Sequence, residues 1–111
     1  MTEITEANEF EVDLLMSYGN LSCNESAFRY ARDNPHAVVY VGEMQNGQAH
    51  CWVHDPKLDL TIDAAPNGVG ISPSYWEGDE HPHCRTIWAE FDAATEDEFK
   101  EEFADCPAFV I

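Results

Sequence analysis

Three residues of this chain have types and spacings suited to nucleophilic chemistry. Cys23 follows Ser22, and Ser22 with Glu25 three residues later forms the capping-box pattern that opens a helix. A cysteine at the first helical position sits where unpaired backbone N–H groups and the macrodipole favour an anion, so its thiolate is stabilised, and the same groups can cradle an oxyanion. His50 lies in the alternating run AHCWVH, and Asp63 in the run DLTIDA that follows. If Asp55 to Leu58 make a four-residue loop, Val53 faces Leu60 and His50 falls directly opposite Asp63. Cross-strand partners have Cβ atoms about 4.5–5.5 Å apart, close enough for a carboxylate to orient an imidazole. A one-residue slip would carry Asp63 to the other face. A thiolate, a histidine and an orienting acid are the parts of cysteine-dependent acyl transfer.

The elements that must position these groups are readable around them. A first helix is expected over about residues 5–18, with Phe10, Val12, Leu14, Leu15 and Met16 on its apolar side and Gly19-Asn20 as its end. The Ser22-capped helix runs to Asp33, stopped by Asn34-Pro35. AVVYVGE (37–43) reads as a central strand, Asn46-Gly47 as a two-residue hairpin turn, and AHCWVH (49–54) and DLTIDA (59–64) as the next strands. Residues 72–84 read as a loop. RTIWAEF (85–91) alternates as a last strand with Ile87, Ala89 and Phe91 inward. Thr95 with Glu98 is expected to cap a final helix whose Phe99, Phe103 and Cys106 share a face, ended by Pro107. The expectation is an α+β domain spanning 1–111, with helices packed on an antiparallel sheet of about four strands.

The stretch from Leu21 to Pro66 resembles the core of small papain-like and transglutaminase-like domains of bacteria, archaea and their viruses. Cys23 opening a helix, Tyr40-Val41-Gly42, His50-x-Trp52, and Ile62-Asp63 stand where that pattern has its Cys, strand, His-x-Trp and Asp. The resemblance implies Cys23 as nucleophile, His50 as general base and then acid, and Asp63 as the residue that orients His50, acting on a peptide or amide substrate without a cofactor. Cys51 stands where a small residue is usual, Ala64-Ala65 follows the acid in place of Pro-Thr, and Asn20 is the nearest polar candidate for an oxyanion donor. Trp52 shares the His50 face. Together with Tyr75 and Trp76 on the later loop, it is a candidate substrate contact.

Composition narrows the alternatives. The chain has 111 residues, with 22 Asp+Glu against 5 Lys+Arg and a formal net charge of −17. Phosphate neutralisation needs a basic footprint, so nucleic-acid binding is not expected. At 44% hydrophobic and 12% aromatic the chain is too apolar for an acidic disordered segment. Roughly 65% of the unfolded surface can be buried at this size, enough for one core. Carboxylates scattered from Glu3 to Asp105 suit concentrated salt, where self-repulsion is screened over a few Å. They also fit a non-catalytic acidic binding or decoy module, which is the second reading.

With no long apolar run and an acidic start, no membrane span or secretion signal is expected, and the cytoplasm is the expected compartment. A reducing compartment favours free thiols at Cys23, Cys51, Cys84 and Cys106 over disulfides. A third reading is a zinc site drawn from His50, Cys51, His54, His81, His83 and Cys84, although no CxxC pair supports it.

Overall fold

The computed structural model describes residues 10, 13, 14, 16–18, 21–64 and 73–110. Most of the first expected helix, including Val12 and Leu15, and its terminator Gly19-Asn20 lie outside the described residues. Phe10, Asp13, Leu14, Met16, Ser17 and Tyr18 are helical, and Leu14 and Tyr18 are buried. Helix α1 spans Cys23–Asp33 with Ser22 as its N-cap, as the capping box requires. The Ser22 hydroxyl accepts from the Glu25 N–H and donates to the Glu25 carboxylate. Asn34 ends the helix by donating from both its backbone and its side chain to the Tyr30 carbonyl. Ala27, Phe28, Tyr30 and Ala31 are buried, and α1 packs chiefly on β2.

Five antiparallel strands follow: β1 Val38–Met44, β2 Ala49–Asp55, β3 Leu60–Asp63, β4 Ser74–Glu77 and β5 Cys84–Phe91, in the spatial order β4-β3-β2-β1-β5. The expected α+β class is present, with one strand more than expected. β4 lies inside the stretch read as loop. It is four residues long, flanked by polar residues, and exists because Leu60 to Asp63 pair with it. The pleat sorts the sheet's side chains onto two faces. Val39, Val41, Cys51, Val53 and Ile62 form the core with Phe28, Phe91 and Phe99. Their neighbours Tyr40, His50, Trp52, Thr61 and Asp63 belong to the other face. β2 is therefore buried on both sides.

Three local expectations change for physical reasons. The connection of β1 and β2 is the four residues Gln45 to Gln48 rather than two: Met44 N–H donates to the Gln48 carbonyl, and only Gly47 takes a positive φ, of 88°. Between β2 and β3 the loop is Pro56 to Asp59 rather than Asp55 to Leu58. The buried Asp55 stays in the strand opposite Leu60, its Oδ1 accepts from the Lys57 and Leu58 N–H groups, and Asp59 adopts φ 51°. Val53 then faces Ile62, a slip of two residues that preserves the faces. Asp55 also accepts from the Tyr30 hydroxyl at 2.6 Å and bonds His36 Nε2 at 2.8 Å, so it ties the turn to α1.

In β5, the pairings Val41 with Ala89 and Gly42 with Ile87 leave Trp88 unmatched. This bulge changes the phase of the strand, and Ile87, expected inward, is 49% exposed. At the C-terminal end the capping box is formed by Asp92 with Thr95 and opens a 3-10 turn, Ala93–Thr95. Helix α2, Glu96–Glu102, follows it. Thr95 makes no side-chain cap to α2, and the helix ends at Phe103, well before Pro107. Phe99 nonetheless reaches the core, with ring centroids 4.9 Å from Phe28 and 5.6 Å from Phe91.

Gly42 is the position where the sheet tolerates no side chain. A Cβ there would lie 2.4 Å from the Thr86 carbonyl oxygen and 3.1 Å from Trp52 Cη2. Replacing it with alanine forces β5 away from β1 or displaces the indole. The expected cost is about 1–3 kcal/mol, read as a lowered urea midpoint with unchanged slope. A Gly42→Ala variant with the parent midpoint would contradict this packing.

Candidate active site

The site is assembled from α1, β2, β3 and the β4–β5 loop. Because β2 and β3 keep their faces despite the slip, His50 and Asp63 remain on one side of the sheet, diagonal rather than directly opposite. The side chains close that gap: His50 Nε2 lies 2.8 Å from Asp63 Oδ2. Both residues are buried. The second pair suggested by the sequence, His54 and Asp59, is a looser contact of 3.4 Å at the exposed turn, with His54 opposite Thr61.

Cys23 meets this pair from the start of α1. The Cys51 thiol and backbone N–H and the His50 ring are near enough to act as donors toward its sulfur. With Nε2 engaged by Asp63, the nitrogen of His50 left for Cys23 is Nδ1. Cys51 donation contributes most to lowering the Cys23 thiol. Burial opposes it, and His50 adds a further lowering, so that the thiol falls from 9.0 to about 5. For His50 the largest effect is burial, which lowers it. The hydrogen bonds and charges of Asp63 and Cys23 outweigh burial and raise the imidazolium from 6.5 to about 10. Asp63 is pushed up by burial but drawn below its ordinary value by its bonds to His50 and His81. Burial drives the Cys51 thiol well above the ordinary range, so it stays protonated and can only donate.

The aromatic candidates separate. Trp52 is 1% exposed; its indole stacks beside Tyr40 and lies along the His50 ring, centroids 6.3 Å apart, so it walls the imidazole off from water. Tyr75 pairs with Ile62 on the core face and makes an edge contact with Phe10. Trp76, its neighbour on the opposite face, lines a cleft of about 360 Å³ together with His50, Asp63, His81 and the hairpin residues Gln45 and Gln48. Asn24, next to the nucleophile candidate, serves the fold instead. Its amide exchanges hydrogen bonds with the Val110 backbone and pins the C-terminal segment to α1. The oxyanion candidate Asn20 lies outside the described residues.

Two contributors are not evident from the sequence. Cys51 stands out there only as a departure from a pattern, yet it is the strongest donor to Cys23. His81 falls there among the zinc candidates, yet it donates to Asp63. Its one signal in the sequence is the density of histidines between 81 and 83. The zinc set itself does not assemble: among the described residues no group of three His, Cys, Asp or Glu is placed to hold a metal ion. No helix among them is long and apolar enough to cross a membrane.

No protein-family model, curated protein or solved structure matches this chain.

The thiolate–imidazolium state has a defined pH window. The Cys23 value is depressed on folding, so its contribution to stability is whole above the ordinary cysteine range and is lost as pH falls through about 5. The His50 value is raised, so its contribution is whole below 6.5 and is lost as pH rises through about 10. Iodoacetamide is expected to alkylate Cys23 at pH 6.5 nearly as fast as at pH 8, while Cys84 reacts only at alkaline pH. Rates followed by mass spectrometry of digests check this. A Cys23 rate that rises tenfold per unit up to pH 8 would exclude the thiolate.

Proposed function

We propose that the chain is a thiol-dependent acyl-transfer enzyme of papain-like or transglutaminase-like type, with Cys23 as nucleophile, His50 as the proton carrier and Asp63 as its orienting acid. The observation that carries the proposal is the nearness of the cysteine that begins α1 to a buried histidine whose Nε2 is held at 2.8 Å by a carboxylate. The order and spacing of Cys23, Tyr40-Val41-Gly42, His50-x-Trp52 and Ile62-Asp63 support it as well.

The chemistry follows from the protonation states. The Cys23 thiolate attacks the carbonyl carbon of an amide, forming a C–S bond and placing the negative charge on oxygen. The first-turn N–H groups of α1 point along the helix axis toward that charge. Collapse breaks the C–N bond, and His50 Nδ1 gives its proton to the departing amine. The resulting thioester is attacked by water or a second amine, whose proton returns to Nδ1 as the C–S bond breaks and the thiolate is regenerated. Asp63 stays ionised and holds the ring in the orientation that presents Nδ1. The cleft beside His50 is lined by Trp76, Gln45 and Gln48 but not by Cys23, so it would hold a part of the substrate beyond the amide under attack.

An activated ester tests the reading without knowledge of the natural substrate. With p-nitrophenyl acetate the chain is expected to release nitrophenolate in a burst and carry one acetyl group on Cys23. Cys23→Ala should abolish the burst. His50→Ala should slow turnover by roughly 10²–10⁴-fold. Equal bursts from the parent and Cys23→Ala would defeat the proposal.

A further inference from the structure

We infer that His81 is a positioning residue of this site: by donating to the same oxygen of Asp63 that His50 uses, it fixes the carboxylate and moderates its pull on the His50 ring. This rests on the proposed Cys23, His50 and Asp63 site and adds a fourth side chain to it.

Hydrogen bonding settles the tautomer of His81. The His83 backbone N–H donates to His81 Nδ1 at 3.1 Å, so Nδ1 carries a lone pair and the ring proton sits on Nε2. Nε2 lies 3.0 Å from Asp63 Oδ2, and His81 is therefore a donor there. His50 Nε2 meets the same oxygen at 2.8 Å. Two donors sharing one acceptor atom each weaken the other, because the charge of that oxygen is divided between them. The His81 ring has little freedom to leave. Its side chain is 2% exposed, packed edge-on to Trp52 at 5.0 Å and against Trp76 at 4.5 Å.

The ionisable groups around this contact are His50 from β2, Asp63 from β3 and His83 two residues along the same loop, whose ring lies 5.8 Å from that of His81. Cys23 lies beyond His50. A carboxylate left with His50 as sole partner would draw its proton more strongly and hold the imidazolium to higher pH, which delays return of the base form that must accept a proton in the second half-reaction. His81 thus sets the compromise between a well-held ring and a ring that can still lose its proton.

The test is a long-range ¹H–¹⁵N correlation of the imidazoles in the full chain, with iodoacetamide labelling of Cys23 as a parallel measurement. In the parent chain at pH 8, His81 is expected to show a protonated Nε2 and a bare Nδ1; a protonated Nδ1 overturns the inference without any variant. In His81→Leu the His50 transition should rise by about one pH unit, the size expected for one hydrogen bond to a charged group. In His81→Gln, whose amide can still donate to Asp63, it should return to within a few tenths of the parent.

A role limited to filling space predicts the opposite sign, with Asp63 released and His50 falling toward its ordinary value; that result, or no shift, overturns the inference. If His81→Leu does not fold, His81→Gln decides alone, since a His50 transition displaced by a full unit despite the retained donor is incompatible with it. Failure of the underlying site is separable. A Cys23 that labels only at alkaline pH in the parent removes the thiolate whatever His81 does, whereas a native thiolate with an unmoved His50 removes His81 only.

Discussion

A carboxylate 3% exposed at the end of β3 is the constraint around which this molecule is arranged. An unpaired buried charge costs several kcal/mol, so Asp63 has to be supplied with donors or neutralised. The donors are two imidazoles that reach one oxygen from different elements, His50 from β2 and His81 from the loop after β4. Satisfying that oxygen folds the β4–β5 loop over the sheet, seats His81 between Trp52 and Trp76, and commits His50 Nε2 to Asp63, which leaves Nδ1 for another partner. The cleft beside His50 is bounded by what this arrangement leaves: the β1–β2 turn on one side and the loop on the other.

The same balance of burial against donors operates at Cys23, with a different outcome. Burial alone would hold the thiol protonated, and it does so for Cys51 on β2. Cys23 escapes because its surroundings consist of donors: a thiol that cannot ionise, a backbone N–H and a histidine already polarised by Asp63. The helix start adds its own field of N–H groups. The two cysteines thus divide the roles of anion and donor according to depth.

The parts legible in the sequence are those whose causes are local or periodic. Ser22 with Glu25 places Cys23 at the first turn because a cap is a three-residue event. The sharing of a face by His50, Trp52 and Asp63 survives a misplaced loop, since the slip is two residues and the pleat repeats every two. What is illegible depends on contacts distant in the chain. Asp55 reads as a loop residue until Tyr30 and His36 are brought to its buried carboxylate, which is why the turn falls one residue later than its sequence suggests. β4 has no pattern of its own and is a strand only because β3 offers it an edge. Ile87 faces outward because of a bulge that leaves Trp88 unmatched opposite Val41 and Gly42. His81 belongs to this class too: nothing near it in sequence announces Asp63.

The charge of −17 acts on a different part of the molecule from the chemistry. Exposed carboxylates repel one another over a distance set by salt, about 10 Å at 0.1 M and 3 Å at 1 M, so their burden on the fold diminishes as salt rises. The bonds joining His50, Asp63 and His81 are 2.8 and 3.0 Å long, and all three side chains belong to buried residues that mobile ions reach poorly. Salt therefore relieves the shell without loosening the site. The one carboxylate lining the cleft beside His50 is Asp63, which is already bonded to His50 and His81. Beneath so unbalanced a surface, the buried Asp63 charge is compensated locally by the two imidazoles that share its oxygen.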